Sequence, residues 1–214
     1  MPLFLVVGAS RADVIIGNLP GNDGVQFAFD SASALSVGFT VGANPITLTS
    51  VDFRLETQGT SGNATLEIRN DNAGNPETTG FFFFSSQLVN TGAVSQYSFT
   101  SAVTPFLAAN TTYWLTLGTP LNLPNALRVS AGDPSVLPTG AHAVFFGLRT
   151  GDPDAQTIIP TIPPFSVPSF QINGTVRSVA VPEPPLFYWL LAGSFAIGIC
   201  RKSDVLELLP RLRF

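Results

Sequence analysis

The sequence of 214 residues has few charged side chains, which make up 11% of the chain, against about 25% in an average soluble domain. Lysine is the scarcest of them, because Lys202 is the only one. Proteins that bind nucleic acid present a basic surface, whereas the formal net charge here is −4. We therefore expect no nucleic-acid partner. The low content of charged residues also excludes a helical bundle or coiled coil.

Cysteine and histidine are equally scarce, with one of each, Cys200 and His142. A single cysteine cannot form an intramolecular disulfide, and no Cys/His cluster exists for zinc. On its predicted strand, His142 shares a face with Val144 and Phe146. This indicates a residue at the end of a strand or a hydrogen-bonded core histidine, in either case without a catalytic role.

No pattern in the chain predicts an enzyme. No serine lies in a nucleophile elbow. Asp52 and Glu56 lie on one strand face together with Arg54, which indicates a solvated ion pair and not the paired carboxylates of a glycosidase.

The abundant residues are uncharged: 19 Gly, 18 Pro and 18 Phe. Apolar and polar residues alternate along Val51–Leu55, Ala64–Ile68 and Tyr113–Leu117, the period expected of strands with one buried face. Further strands are predicted at Val25–Phe29, Val37–Val41, Phe81–Phe84, Tyr97–Phe99, Leu127–Val129, Val144–Leu148 and Phe170–Val176. We expect an all-β ectodomain over residues 13–180, an antiparallel two-sheet β-sandwich of jelly-roll type.

Two segments depart from the alternating pattern. Phe81–Phe84 is uniformly apolar, which predicts a strand buried on both faces. The region from Ile158 to Pro168 contains four prolines, which favour an extended edge or crossover and not a central strand.

The N-terminal residues 1–12 combine a short apolar stretch with Ser10 and Ala12 in a small-x-small arrangement. This predicts a truncated secretory signal peptide cleaved after Ala12, because the basic start of such a signal is missing. The alternative is an edge strand of the ectodomain.

The C-terminal residues 185–200 form an uncharged apolar run that ends directly before Arg201 and Lys202. As a helix the run would extend about 24 Å, slightly less than the ~30 Å apolar core of a bilayer. Basic residues remain on the cytoplasmic side, so a transmembrane helix here would place the ectodomain outside. A buried core helix is the alternative.

Pro182-Glu183-Pro184 precedes this run, and the order of the three features resembles the PEP-CTERM sorting signal of Gram-negative bacteria. The resemblance implies a sorting segment over residues 181–202, which a membrane exosortase recognises and cleaves. It also implies a precursor anchored in the inner membrane and a product at the cell surface or in the extracellular matrix of biofilm-forming bacteria. Residues 203–214 extend past the usual end of such signals as a short cytoplasmic tail.

The ectodomain more loosely resembles the choice-of-anchor β-sandwich domains, of the type known as R. The resemblance rests on the strand Thr47–Leu55, on Leu66–Asp71 leading into Gly74-Asn75-Pro76, and on Leu107–Leu115 with its Tyr-Trp pair. It implies no catalytic activity.

Two weaker site predictions remain. Trp114 lies on the polar side of its strand, with Thr112 and Thr116, where an aromatic ring could stack on a sugar. The alternative is a buried tryptophan, because most tryptophans are largely buried and one strand does not show which face is inward. A structural calcium ion is the other, held in an oxygen-rich turn by Asp71, Asn72, Asn75 and Glu77; the same residues also favour turns for backbone reasons alone.

Residues 13–180 contain five Arg and eleven Asp or Glu, a net charge of −6. We expect an exported bacterial surface or matrix protein with a structural or adhesive, non-enzymatic role and with exosortase as its partner. The alternative is a carbohydrate-binding module for extracellular polysaccharide, and a polysaccharide-degrading enzyme comes third.

Overall fold

A computed structural model describes residues 12–20, 24–121, 125–131, 136–152, 157–159 and 167–177. Within these ranges the chain is all-β and contains no helix. The strands are β1 Asp13–Gly17, β2 Val25–Phe29, β3 Ala34–Val41, β4 Ile46–Thr57, β5 Gly62–Asn72, β6 Asn75–Pro76, β7 Phe82–Phe83, β8 Gln87–Val89, β9 Ser95–Thr100, β10 Phe106–Leu107, β11 Thr112–Gly118, β12 Leu127–Ala131, β13 Ala143–Gly151, β14 Thr157–Ile159 and β15 Phe170–Val176.

The first sheet is built around the long strand β4. Its order is β1-β15-β4-β12-β2, and β9 and β10 also pair with β4. The strand β4 reaches so many partners because it is twelve residues long. β15 pairs with its first part and β12 with its last three residues.

The second sheet has the order β14-β13-β3-β11-β5-β6, and β7 and β8 also pair with β5. β3 and β11 lie at its centre, paired over six residues from Thr112 opposite Thr40 to Leu117 opposite Leu35. Every strand pairing described in the two sheets is antiparallel.

One apolar core lies between the two sheets. It joins Leu48 and Phe53 of β4 to Val37 of β3 and Leu115 of β11. Phe53 contacts the Phe99 ring edge-on, with 6.3 Å between ring centroids. A single cluster fed by both sheets is the mark of a β-sandwich, so the predicted all-β architecture of two antiparallel sheets is confirmed.

The prediction for the phenylalanine run was wrong. Only Phe82 and Phe83 form a strand, and that strand pairs with β5 alone among the described strands. Phe82 packs against the core, whereas Phe81 and Phe83 are 45% and 65% exposed. A strand of two residues at the margin of a sheet has only one covered face, so a uniformly apolar run leaves aromatic rings in solvent.

The proline-rich region is described only in part. Its first residues belong to β14, which pairs with β13 at the edge of the second sheet. This agrees with the edge position that the prolines predicted. No helix in the described part of the chain is long and apolar enough to cross a membrane. The apolar run 185–200 lies outside that part.

Candidate functional site

Trp114 projects from the outer face of the second sheet, away from the core. Its neighbours Tyr113 and Leu115 belong to the core cluster, as alternation along β11 requires. The sequence therefore placed the indole on the correct side of its strand. Its surroundings, however, differ from those of an exposed platform.

The indole of Trp114 is fully buried although it lies outside the core. The Phe146 ring packs edge-on against it at 5.6 Å between centroids, and the Arg149 guanidinium lies 5.0 Å from its centroid. On the neighbouring strand Gly38 leaves room for the ring, because a Cβ there would lie 2.8 Å from Trp114 Cζ3. A sugar could stack on Trp114 only after Phe146 and Arg149 had moved away.

The polar edge of the indole is held by the hairpin that joins β5 to β6. Trp114 Nε1 donates a 2.8 Å hydrogen bond to Asp71 Oδ1, and the other oxygen, Oδ2, accepts from Gly74 N at 3.1 Å. Ala73 and Gly74 both have positive φ, the conformation that a type I′ two-residue turn requires. The tight turn thus brings Asp71 and the Gly74 carbonyl to the outer face of the sheet.

Arg149 connects this hairpin to the indole. Its Nε donates to Asn75 Oδ1 at 3.0 Å, its Nη1 donates to the Leu148 carbonyl at 2.9 Å, and its Nη2 donates to the Gly74 carbonyl. Burial lowers the pKa of Arg149 from its ordinary value, and the nearby Asp71 carboxylate opposes that change. A guanidinium remains protonated in proteins, so Arg149 supplies a fixed positive charge.

Three of the four residues predicted for calcium therefore have side-chain oxygens engaged within the protein. Asp71 and Asn75 accept from Trp114, Gly74 and Arg149, while Glu77 Oε2 accepts from Asn70 Nδ2 at 3.0 Å. Asn72 is exposed and pairs with Asn75 across the hairpin. In the ranges described, no group of three or more His, Cys, Asp or Glu side chains could hold a metal ion. A calcium ion at this turn would have to compete with the Arg149 guanidinium.

Trp114, Asp71, Phe146 and Arg149 together form what we call the Trp114 cluster. Beside it the same outer face forms a cleft of 480 Å³, within the ~300–1,000 Å³ typical of small-ligand sites. Its lining combines the turn before β3, the outward side chains of β5 and β11, and two phenylalanines: Ser31, Ser33, Ala34, Thr65, Leu66, Glu67, Arg69, Phe83, Phe84, Thr116, Gly118, Thr119 and Pro120. We call this the sheet cleft.

The register of the strands explains why a cleft forms here. Gly118 lies directly opposite Thr65, and Ala34 adds a third small residue. Because these side chains are short, they leave a depression in this part of the outer face. Two residues further along the strands the side chains are larger, since Phe83 lies opposite Glu67 and Glu67 lies opposite Thr116.

Charge in the sheet cleft is balanced. Glu67 Oε1 accepts from both Nε and Nη2 of Arg69, and Arg69 Nη1 donates to the Glu77 carbonyl at 2.9 Å. Both side chains of this ion pair are largely buried. The cleft therefore presents hydroxyl groups and an aromatic ring without a net charge.

The remaining residues singled out by the sequence lie elsewhere. His142 is half-buried at the start of β13, where its carbonyl accepts from Gly42 N at 2.8 Å. The sorting motif Pro182, Glu183, Pro184 and the basic residues Arg201 and Lys202 lie outside the described residues.

No protein-family model matches the chain, and no curated protein matches it. The class that can be stated is therefore structural: an antiparallel β-sandwich with a covered tryptophan and a cleft on the outer face of one sheet.

Sequence reasoning did not find the sheet cleft. Glu67 and Arg69 are two apart on one strand, which predicts only a local ion pair. Phe83 was assigned to the interior with its neighbours. The only available signal was the row of polar residues along the outer faces of β5 and β11, and that signal does not locate a depression.

Proposed function

We propose that this protein is an exported bacterial surface or extracellular-matrix protein with a structural or adhesive, non-enzymatic role. The observation that carries the proposal is the order of Pro182-Glu183-Pro184, the uncharged run 185–200 and Arg201-Lys202. A proline-flanked site before an apolar run and a basic stop suits recognition by a membrane exosortase, which would release the ectodomain from an inner-membrane precursor.

The proposal includes a single transmembrane helix over residues 185–200 and a jelly-roll connection of the strands. Acidic excess over residues 13–180 keeps such an ectodomain soluble and weakens its attraction to anionic surfaces. A two-sheet sandwich suits this role, because its outer faces can present contacts while the core between the sheets carries the stability.

The sorting motif is tested by replacing Pro182, Glu183 and Pro184 together with alanine in the exporting host. The wild type should yield a shorter product that ends near the motif, as read by mass spectrometry of its C-terminus. The variant should accumulate as a larger form in the membrane fraction.

Replacement of Pro163 and Pro164 by alanine is the matched control, since it removes prolines from another proline-rich segment, and processing should continue. Equal processing of wild type and motif variant, or a mature wild-type chain that ends at Phe214, would contradict the proposal.

A second function, binding of extracellular polysaccharide, is favoured by one observation. The sheet cleft has the volume of a small-ligand site and combines hydroxyl groups with an exposed aromatic ring. Retention of the protein on immobilised polysaccharide tests this function, and failure to bind any polysaccharide would contradict it.

A further inference from the structure

Phe83 is the most exposed aromatic side chain that lines the sheet cleft, with 65% of its surface accessible. The register places it directly opposite Glu67, whose side chain projects from the same outer face. Phe84, the next residue, is 8% exposed, so the strand is fixed by an inward ring while the Phe83 ring stands at the cleft wall. A ligand that covers the Phe83 ring would bury apolar surface that remains exposed in the free protein, and this burial would favour binding.

We propose that the sheet cleft binds an uncharged sugar residue of a polysaccharide, with the sugar ring stacked on Phe83. The inference rests on the second proposed function and assigns it a site and a ligand class. The face of an aromatic ring carries partial negative charge, and the C–H bonds on one side of a sugar ring present partial positive charge to it. The hydroxyl groups of the sugar would then point toward the polar lining.

The polar lining suits hydroxyl groups better than ions. Thr65 and Ser31 are exposed hydroxyl residues at the cleft, and Glu67 forms an ion pair with Arg69. Because the carboxylate and the guanidinium neutralise each other, neither a phosphate nor a metal ion finds an excess of opposite charge. An uncharged ligand with many hydroxyl groups meets hydrogen-bonding partners without losing a counter-charge.

This assignment differs from the sequence-based one, which offered Trp114 as the stacking ring. Trp114 is fully buried under Phe146 and Arg149. Its neighbour Arg69, directly opposite on β5, lines the cleft. The Trp114 cluster therefore lies beside the cleft without contacting the ligand, and Phe83 provides the ring on which the sugar stacks.

Affinity electrophoresis of the full chain tests the inference, with dextran, galactomannan and a mixed-linkage β-glucan as uncharged probes and alginate as the acidic probe. At least one uncharged probe should retard the wild type, and alginate should not. Phe83→Ala should weaken that retardation about tenfold, the order expected for losing one stacked ring.

Gly118→Val is a second variant that fills the cleft instead of removing its wall. Gly118 lines the cleft, and a Cβ there would be 3.2 Å from Thr65 Oγ1, so a small shift of the exposed Thr65 side chain can accommodate it. Phe106→Ala is the matched control, because Phe106 is a similarly exposed phenylalanine on the first sheet. Gly118→Val should abolish retardation, and Phe106→Ala should leave it unchanged.

The outcomes separate the two levels of the proposal. If no polysaccharide retards the wild type, the polysaccharide-binding function itself is overturned. If Phe83→Ala and Gly118→Val are both retarded as strongly as the wild type, the protein binds polysaccharide but the cleft is the wrong site. Retardation by alginate alone would overturn the uncharged ligand class.

Discussion

The outer faces of the two sheets both carry an arginine that pairs with neighbouring polar groups, but the arginine is partly exposed on one face and buried on the other. On the first sheet, Arg128 of β12 lies 3.3 Å from Glu56 of β4, and its side chain remains 32% exposed. On the second sheet, Arg149 of β13 is buried against Trp114 and the β5–β6 hairpin. The difference shows that an arginine on a strand face contributes more to the free energy of unfolding when other side chains and a hairpin cover it.

The covering depends on a turn and on one glycine. The hairpin places oxygen acceptors over the second sheet, and Gly38 leaves room for the indole, because a Cβ there would lie 2.8 Å from Trp114 Cζ3. Buried polar groups stabilise a protein when all of them find partners. The outer face of the second sheet should therefore respond to substitution much as a core does.

The largest effect is expected for Trp114→Ala. The substitution removes a fully buried ring and leaves Asp71 and Arg149 facing a cavity, so the free energy of unfolding should fall by about 3–5 kcal/mol. Urea unfolding followed by fluorescence or circular dichroism measures the loss. A fall of less than about 0.5 kcal/mol, the range of ordinary surface positions, would show that the outer layer is not packed as described.

A smaller effect is expected for Arg149→Met, which keeps an unbranched apolar stem but removes the guanidinium with its charge and donors. Asn75 and the Gly74 carbonyl lose a charged partner and Trp114 loses a cation, at a cost of about 2–3 kcal/mol. Arg128→Met on the first sheet is the matched change and should cost at most about 1 kcal/mol. Urea unfolding measures the free energy of unfolding of both variants. Equal losses would contradict the difference between the two outer faces.

The smallest effect is expected for Gly38→Ala. The added Cβ would lie 2.8 Å from the indole, and because Phe146 and Arg149 hold the ring, overpacking should cost about 1–2 kcal/mol. Gly147→Ala is the control, since its Cβ would have no atom nearer than Arg149 Nη1 at 3.6 Å. The control should change the melting temperature little, and a larger shift for Gly147→Ala than for Gly38→Ala would contradict the packing described.

Much of the fold could be predicted from alternation alone. The predicted strand Val25–Phe29 coincides with β2, and the segments around Phe53, Leu66 and Leu115 lie in strands with the expected residues inward. These predictions succeed because a strand that faces the core on one side must alternate, whatever its partners are.

The outer layer could not be predicted in the same way. Trp114 was placed on the correct face, but its cover comes from Asp71 and Arg149, which are 43 and 35 positions away in the sequence. Phe83 was predicted to be buried because its neighbours are apolar, whereas its exposure follows from the margin position of β7. Both outcomes depend on the register between strands, which cannot be read from the alternation along each single strand.

The most direct test of the contrast between the two faces is a nuclear magnetic resonance titration of the isotope-labelled full chain with an oligosaccharide of the uncharged polysaccharide that retards it. We expect amide shifts that concentrate at Thr65, Glu67, Phe83 and Gly118 on the second sheet, with the outer face of the first sheet unchanged. Shifts that centre on Glu56 and Arg128 of the first sheet, or the absence of shifts on either sheet, would contradict this expectation.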